Sequence, residues 1–307
     1  MNLTIKGYRV GALAKAVFKE VMDDNVLGLA AQTAYYFFFS LFPILLFVTP
    51  LVGLFIDPAG AIGFLQRQLG QAIPPESMAL LEGIIENVVL GDNAPGLASV
   101  GGLLALWAGS NVFNTLAGAL NRAYDVEEGR PWWKTRLLAI GMVILAGIVM
   151  ITASITFIAG ERIIQWVADL IGLSGAATVT WMVVQYTLVV AFLVGLAWLQ
   201  YYILPNVRQQ KRTVLVGALV ATALWIIATL AFRAYVVNFG NYNATYGTIG
   251  AVIVLLTWMY ISMVVVLVGG ELNSELHKGT GAVTQRGGTL YGGRVTTGGV
   301  PARASVE

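Results

Sequence analysis

The stretch from Gly28 to Ile56, GLAAQTAYYFFFSLFPILLFVTPLVGLFI, decides the fold. It carries no charge, and it exceeds the roughly 20 residues that a helix rising about 1.5 Å per residue needs to cross the hydrocarbon core of a bilayer. Five more apolar runs follow, approximately Leu97 to Leu120, Leu137 to Gly160, Thr180 to Leu204, Thr213 to Val237 and Ile249 to Leu272. Inside lipid every backbone N–H and C=O must be paired within the protein. None of these runs has the short alternation of barrel strands, so each predicts a helix. The expected fold class is all-α, a polytopic membrane protein with six transmembrane helices in a domain spanning 28–276, between a segment 1–27 and a tail 277–307. Composition agrees, since 57% of the 307 residues are hydrophobic and only 11% charged, more apolar surface than a soluble domain of this size could hide.

Lys and Arg in the connections set the orientation, because positive charge stays on the cytoplasmic side during insertion. One side carries Lys6, Arg9, Lys15 and Lys19, then Arg122, Arg130, Lys134 and Arg136, then Arg208, Lys211 and Arg212, then Lys278, Arg286, Arg294 and Arg303. The opposite connections carry only Arg67 and Arg162, with Arg233 near the outer end of the fifth helix, where its side chain can snorkel to phosphates. Both termini are therefore expected in the cytoplasm, which an odd number of spans would not allow. No small-residue cleavage site follows the first apolar run, so the first helix reads as a retained span rather than a signal peptide.

The long outer connection, Asp57 to Gly96, is split by Pro74 and Pro75, and Met78 to Leu90 is apolar enough for an amphipathic interfacial helix. Ile163 to Leu173, with Trp166, has the same interfacial character. After His277 the chain turns to Gly, Thr and Arg, the composition of a disordered tail. Trp132, Trp133, Trp198, Tyr201 and Tyr202 fit an aromatic belt at the cytoplasmic interface.

Several chemistries are excluded. A net charge of +2 gives no field for nucleic acid, and the absence of cysteine removes disulfides, thiolate metal sites and thiol nucleophiles. The sole histidine, His277, falls just past the last apolar run, no carboxylate or imidazole cluster has metal-ligand spacing, and no phosphate-binding loop is present. No metal, no cofactor and no enzymatic activity are expected, and any transport would run on a gradient, on downhill flow or on another protein.

Polar residues inside the spans mark where function could reside, since each costs insertion energy unless paired or hydrated. Gln32, Thr33, Tyr36 and Ser40 recur at helical spacing before Pro43, which is expected to kink the first helix. Asn111, Asn114, Thr115 and Gly118 form a stripe leading to Arg122 and Asp125, and Glu271 with Asn273 closes the sixth helix. Two readings stand side by side. In one, Tyr36, Ser40, Asn111, Asn114, Arg122 and Glu271 line a polar cavity open to the cytoplasm. In the other, the same groups are interhelical hydrogen-bond glue worth about 1 kcal/mol each. Glu271 either pairs with a base such as Arg122 or Arg208, or lies at the headgroups beside Glu275 and Lys278.

The run Ala30, Ala31, Gln32, Thr33, Ala34, Tyr35, Tyr36 leading into Ser40, Leu41, Phe42, Pro43 resembles the first span of the YihY/BrkB membrane proteins. Tyr246, Gly247, Thr248, Ile249, Gly250 resembles that family's approach to its last helix, and Gly269, Gly270, Glu271, Leu272, Asn273 its exit motif, with Thr248 and Gly270 as mild departures. The resemblance covers Gly28 to His277 and implies six helices in a bacterial inner membrane. Some family members carried a ribonuclease label, which this chain does not support, because hydrolysis needs a base or metal and RNA recognition needs basic and aromatic surfaces. Two functions remain, a transporter or lipid-translocating protein and a non-transporting envelope scaffold or assembly factor. Expected partners are membrane lipids, with a lipid or small molecule as substrate. Substrate, coupling ion and oligomeric state are not written in the sequence.

Overall fold

The computed structural model describes residues 4–5, 8–53, 94–171, 174–239, 242–278 and 284–285. Seven helices lie among them: α1 (Val10–Asp23), α2 (Val26–Gly53), α3 (Ala94–Ala123), α4 (Trp132–Ile171), α5 (Ser174–Ile203), α6 (Lys211–Phe239) and α7 (Tyr242–Lys278). Helices α2 to α7 are long and apolar enough to cross a membrane, and they carry the six expected spans, over Val26–Val48, Ser99–Ala123, Trp132–Ala153, Val183–Ile203, Lys211–Val236 and Val252–Lys278. The fold is all-α. Among the described residues strand pairing is confined to two-residue ladders, Thr4–Ile5 with Tyr8–Arg9 and Val207–Arg208 with Thr284–Gln285.

Each of α2 to α7 packs on its chain neighbour, and α7 returns to α2, so the six helices form a closed ring; α7 also touches α3 and α5 across it. Small residues allow the closest approaches. A methyl added at Gly101 of α3 would lie 2.9 Å from the Phe47 backbone nitrogen of α2, and one added at Gly269 of α7 would lie 2.6 Å from Ala221 Cβ of α6. The buried core gathers at the basic end, where Val26 and Ala30 of α2 meet Leu116 and Leu120 of α3, Met142 of α4, Tyr201 of α5, Val214 and Ala218 of α6, and Leu267 of α7. Toward the other end, large apolar side chains such as Leu103, Met150 and Ile227 stay exposed, as lipid permits.

Several boundaries differ from the expectation. α4 runs unbroken to Ile171, so the stretch from Ile163 continues the helix of the third span beyond Ala153, where that span ends; at about 1.5 Å per residue its 40 residues reach about 60 Å, twice a hydrocarbon core. α7 extends to Lys278, so His277 belongs to the helix and is buried rather than lying past its end. Tyr201 leaves the aromatic belt for the core, where its hydroxyl donates to Val266 O at 2.6 Å, while Trp132 and Trp133 are exposed as a belt requires. Helix α1 was not foreseen within the N-terminal segment. Its Leu13 and Val17, one turn apart, bury against Leu276 of α7. Pro43 sits inside α2, which continues past it. The outer segment 57–93 and the tail after Lys278, apart from Thr284 and Gln285, lie outside the described residues.

Candidate functional site

Along α3, Trp107, Asn111, Asn114, Gly118 and Arg122 succeed one another at steps of three or four residues and therefore share one face of the helix. Protein does not cover that face. Trp107 is 51% exposed, and Asn114, Gly118 and Arg122 are exposed as well. Asn111 is partly covered because Arg136, one turn into α4, donates from Nη1 to Asn111 Oδ1 at 2.7 Å. The same guanidinium lies 3.6 Å from the Trp107 ring centroid, and its Nε is buried without a hydrogen-bond partner. Counted back from Ala123, Asn114 stands about 14 Å and Asn111 about 18 Å along the helix, against roughly 15 Å for half a hydrocarbon core. The polar face thus runs from the basic end to about the middle of the span Ser99–Ala123.

At its mouth Arg122 Nε lies 3.7 Å from Asp24 Oδ1, where α1 ends. Asp24 Oδ2 is buried with no partner. Burial, and next the neighbouring Asp125 carboxylate, push the Asp24 carboxyl up to about 6 despite Arg122. Glu20, one turn earlier on α1, is also raised, first by burial.

The structure brings Asn111, Asn114 and Arg122 together and places the other expected residues apart. Tyr36 is partly buried beside Tyr35, and Ser40 is buried and donates to Phe37 O at 2.7 Å. Glu271 is 1% exposed and its Oε2 has no hydrogen-bond partner. Neither base considered for it pairs with it among the described residues, and Arg122 is committed to Asp24.

The helix ends around Glu271 are knitted by polar contacts that the sequence reading missed. Asp125 takes a left-handed φ of 53°, and Val126 N–H reaches back to Asn121 O at 3.0 Å while Asp125 N–H bonds Arg122 O at 2.9 Å, a Schellman stop for α3. Asn121 Oδ1 accepts from Asn206 N–H at 2.6 Å, and Asn121 Nδ2 donates to Glu128 Oε2 at 2.9 Å. Glu128 holds Arg130 in a fork of 2.7 and 2.6 Å, and Arg130 Nη2 also donates to Leu204 O at 2.7 Å. Partial burial would raise the Glu128 carboxyl, but the Arg130 bonds outweigh it and hold it below the usual range. His277 closes the set. Its Nε2 accepts from Gln210 N–H at 3.0 Å and its Nδ1 faces Asn273 O at 2.9 Å, which fixes the neutral Nδ1–H tautomer. Tyr124 donates to Gln209 Oε1 at 2.8 Å. Its hydroxyl is pushed up by burial first, and then by Tyr201 and the Glu271 carboxylate within electrostatic reach.

Comparison with known proteins places the chain among membrane proteins. The family model described as "Virulence factor BrkB" matches residues 17–288. A ribonuclease-like protein, YfkH, of Bacillus subtilis is 36% identical over 250 residues, 81% of this chain and 89% of that protein. A UPF0761 membrane protein of Alteromonas mediterranea is 26% identical across 84% of this chain and 85% of its own length. Another, of Alkalilimnicola ehrlichii, is 30% identical across 82% of this chain and 55% of its own length. No solved structure matches the chain.

Proposed function

The chain belongs to the virulence factor BrkB family, and on that footing we propose that it is a lipid-translocating protein of the bacterial inner membrane, its basic end in the cytoplasm, which carries anionic headgroups along the open face of α3. The observation that carries this reading is the exposure of Asn114 and Arg122 on one uncovered helix face within a membrane span. A polar side chain that only glues helices together is buried between them, whereas these two present hydrogen-bonding groups where lipid tails would otherwise meet protein. Headgroups would enter beside Arg122, pass Asn114, and reach Asn111 and Arg136 near midplane, while the acyl chains stay in the hydrocarbon. Arg136 suits this use because a guanidinium offers a phosphate several N–H groups, and its Nε is still unpaired.

The ribonuclease label of the Bacillus relative is not adopted for this chain. Both ring nitrogens of His277, its one imidazole, are engaged in holding helix ends together, and no group of three or more His, Asp or Glu disposed to hold a metal occurs among the described residues. A non-transporting scaffold is the second reading. It draws on Thr33, Ser40 and Ser110, whose hydroxyls each bond a carbonyl of their own helix.

The test is transbilayer movement of fluorescent phospholipids in proteoliposomes of the purified protein beside empty vesicles. Acceleration over empty vesicles is expected; its absence with folded, inserted protein favours the scaffold.

A further inference from the structure

Glu271, Glu275 and Lys278 follow at steps of four and three residues and share one face of α7, turned toward the end of α1 and the turn after α3. Lys278 Nζ sits at the centre of that junction, 3.1 Å from Asp125 Oδ2, 3.2 Å from Glu275 Oε1 and 3.9 Å from Glu20 Oε1. Arg122 is taken by Asp24. Five carboxylates, Glu20, Asp24, Asp125, Glu271 and Glu275, therefore outnumber the cations paired with them, Lys278 and Arg122. The charges acting on Glu271 are those of Asp24, Lys278, Glu20 and Asp125.

Glu271 is the member left without a partner, 1% exposed with a bare Oε2 one turn deeper than Glu275. Of the other polar groups near it, Tyr124 bonds Gln209, Tyr201 bonds Val266 O, and His277 bonds Gln210 N–H and Asn273 O, while the buried Asn273 amide has no hydrogen-bond partner. A metal ion does not suit the site, because Lys278 holds its centre and no metal-holding group of three carboxylates or imidazoles exists among the described residues. A proton needs no coordination shell and neutralises a lone buried oxygen directly.

We infer that Glu271 is a proton-binding site, exchanging its proton with water at the basic end through the carboxylates of Asp24 and Glu20. Side-chain exposure rises outward along that path, from Glu271 at the core through Asp24 at 15% and Glu20 at 24% to Asp125 at 46%.

The inference stands apart from lipid movement and is read without it, by infrared difference spectroscopy of the full-length protein in micelles as pH is stepped from about 9 to about 7, above the range in which Asp24 takes up its proton. The expected result is the carbonyl stretch of a buried protonated carboxyl that grows on acidification, persists in Glu275→Gln and is lost in Glu271→Gln. A wild-type protein with no such band, or a band unchanged in Glu271→Gln, overturns the inference. Should Glu271→Gln fail to accumulate, Glu271→Asp decides: a shifted band supports the site, and a band at the wild-type frequency refutes it.

Discussion

Arg136 Nη1 donates to Asn111 Oδ1 at 2.7 Å, joining the start of α4 to the middle of α3. This bond aims a guanidinium along the exposed face of α3 while Trp107 supports it from the side. Lysine would keep the charge but lose the planar fork and its stacking on the indole. Arg136→Lys is expected to accumulate normally and to slow movement of an anionic phospholipid about tenfold, the worth of one charge-assisted contact. Equal rates for both proteins in proteoliposomes would remove Arg136 from the path.

Asn121 ties two loops that are far apart in sequence, accepting from Asn206 N–H and donating to Glu128. Asn121→Ala leaves that buried N–H unpaired, at a cost of about 2 kcal/mol. A lowered midpoint for unfolding in micelles is the expected outcome, with translocation per folded molecule unchanged.

Asp24 gives a pH dependence of defined sign. Its folded pKa of about 6 lies above the ordinary carboxyl value of 3.8, so the folded protein holds more protons between the two, and stability falls as pH rises through that window. The loss is then constant at higher pH. Asp24→Asn is expected to raise stability near neutral pH by about 3 kcal/mol at most, a figure that already includes the Arg122 contact. The gain should shrink to nothing below about pH 4, where both forms of the chain are already protonated. Unfolding midpoints of the two proteins across pH read it; a gain that instead grows in acid contradicts the assignment.

Gly269 and Gly118 make a paired test of the helix contacts. A methyl at Gly269 would strike Ala221 and the Tyr201 hydroxyl, while one at Gly118 meets nothing within 4 Å. Gly269→Ala is expected to cost about 1 to 3 kcal/mol and Gly118→Ala close to nothing, measured by unfolding in micelles.

The six spans were legible because long uncharged runs permit only helices in lipid, and the shared face of Asn111, Asn114 and Arg122 was legible from spacing alone. That Ser40 and Glu271 are buried while Asn114 and Arg122 are exposed was not, since burial depends on how the helices pack around each position. Helix α1 left a signal in the one-turn spacing of Leu13 and Val17, but its 14 residues are too few to register as a membrane span. The pairing of Asn121 with Asn206, and the surroundings of Glu271, come from residues tens or hundreds of positions apart, and no local pattern announces such contacts. His277 misled by position: the apolar run stops before it, but its buried ring needs the helix to continue.

If the exposed polar face of α3 conducts headgroups, Asn114→Leu interrupts it. Asn114 is exposed, so leucine there should leave folding and abundance intact. The measurement is transbilayer movement of a fluorescent anionic phospholipid in proteoliposomes containing equal amounts of wild-type or Asn114→Leu protein. The account predicts fast movement with the wild type and movement near the empty-vesicle rate with the variant. Undiminished movement with Asn114→Leu would contradict it.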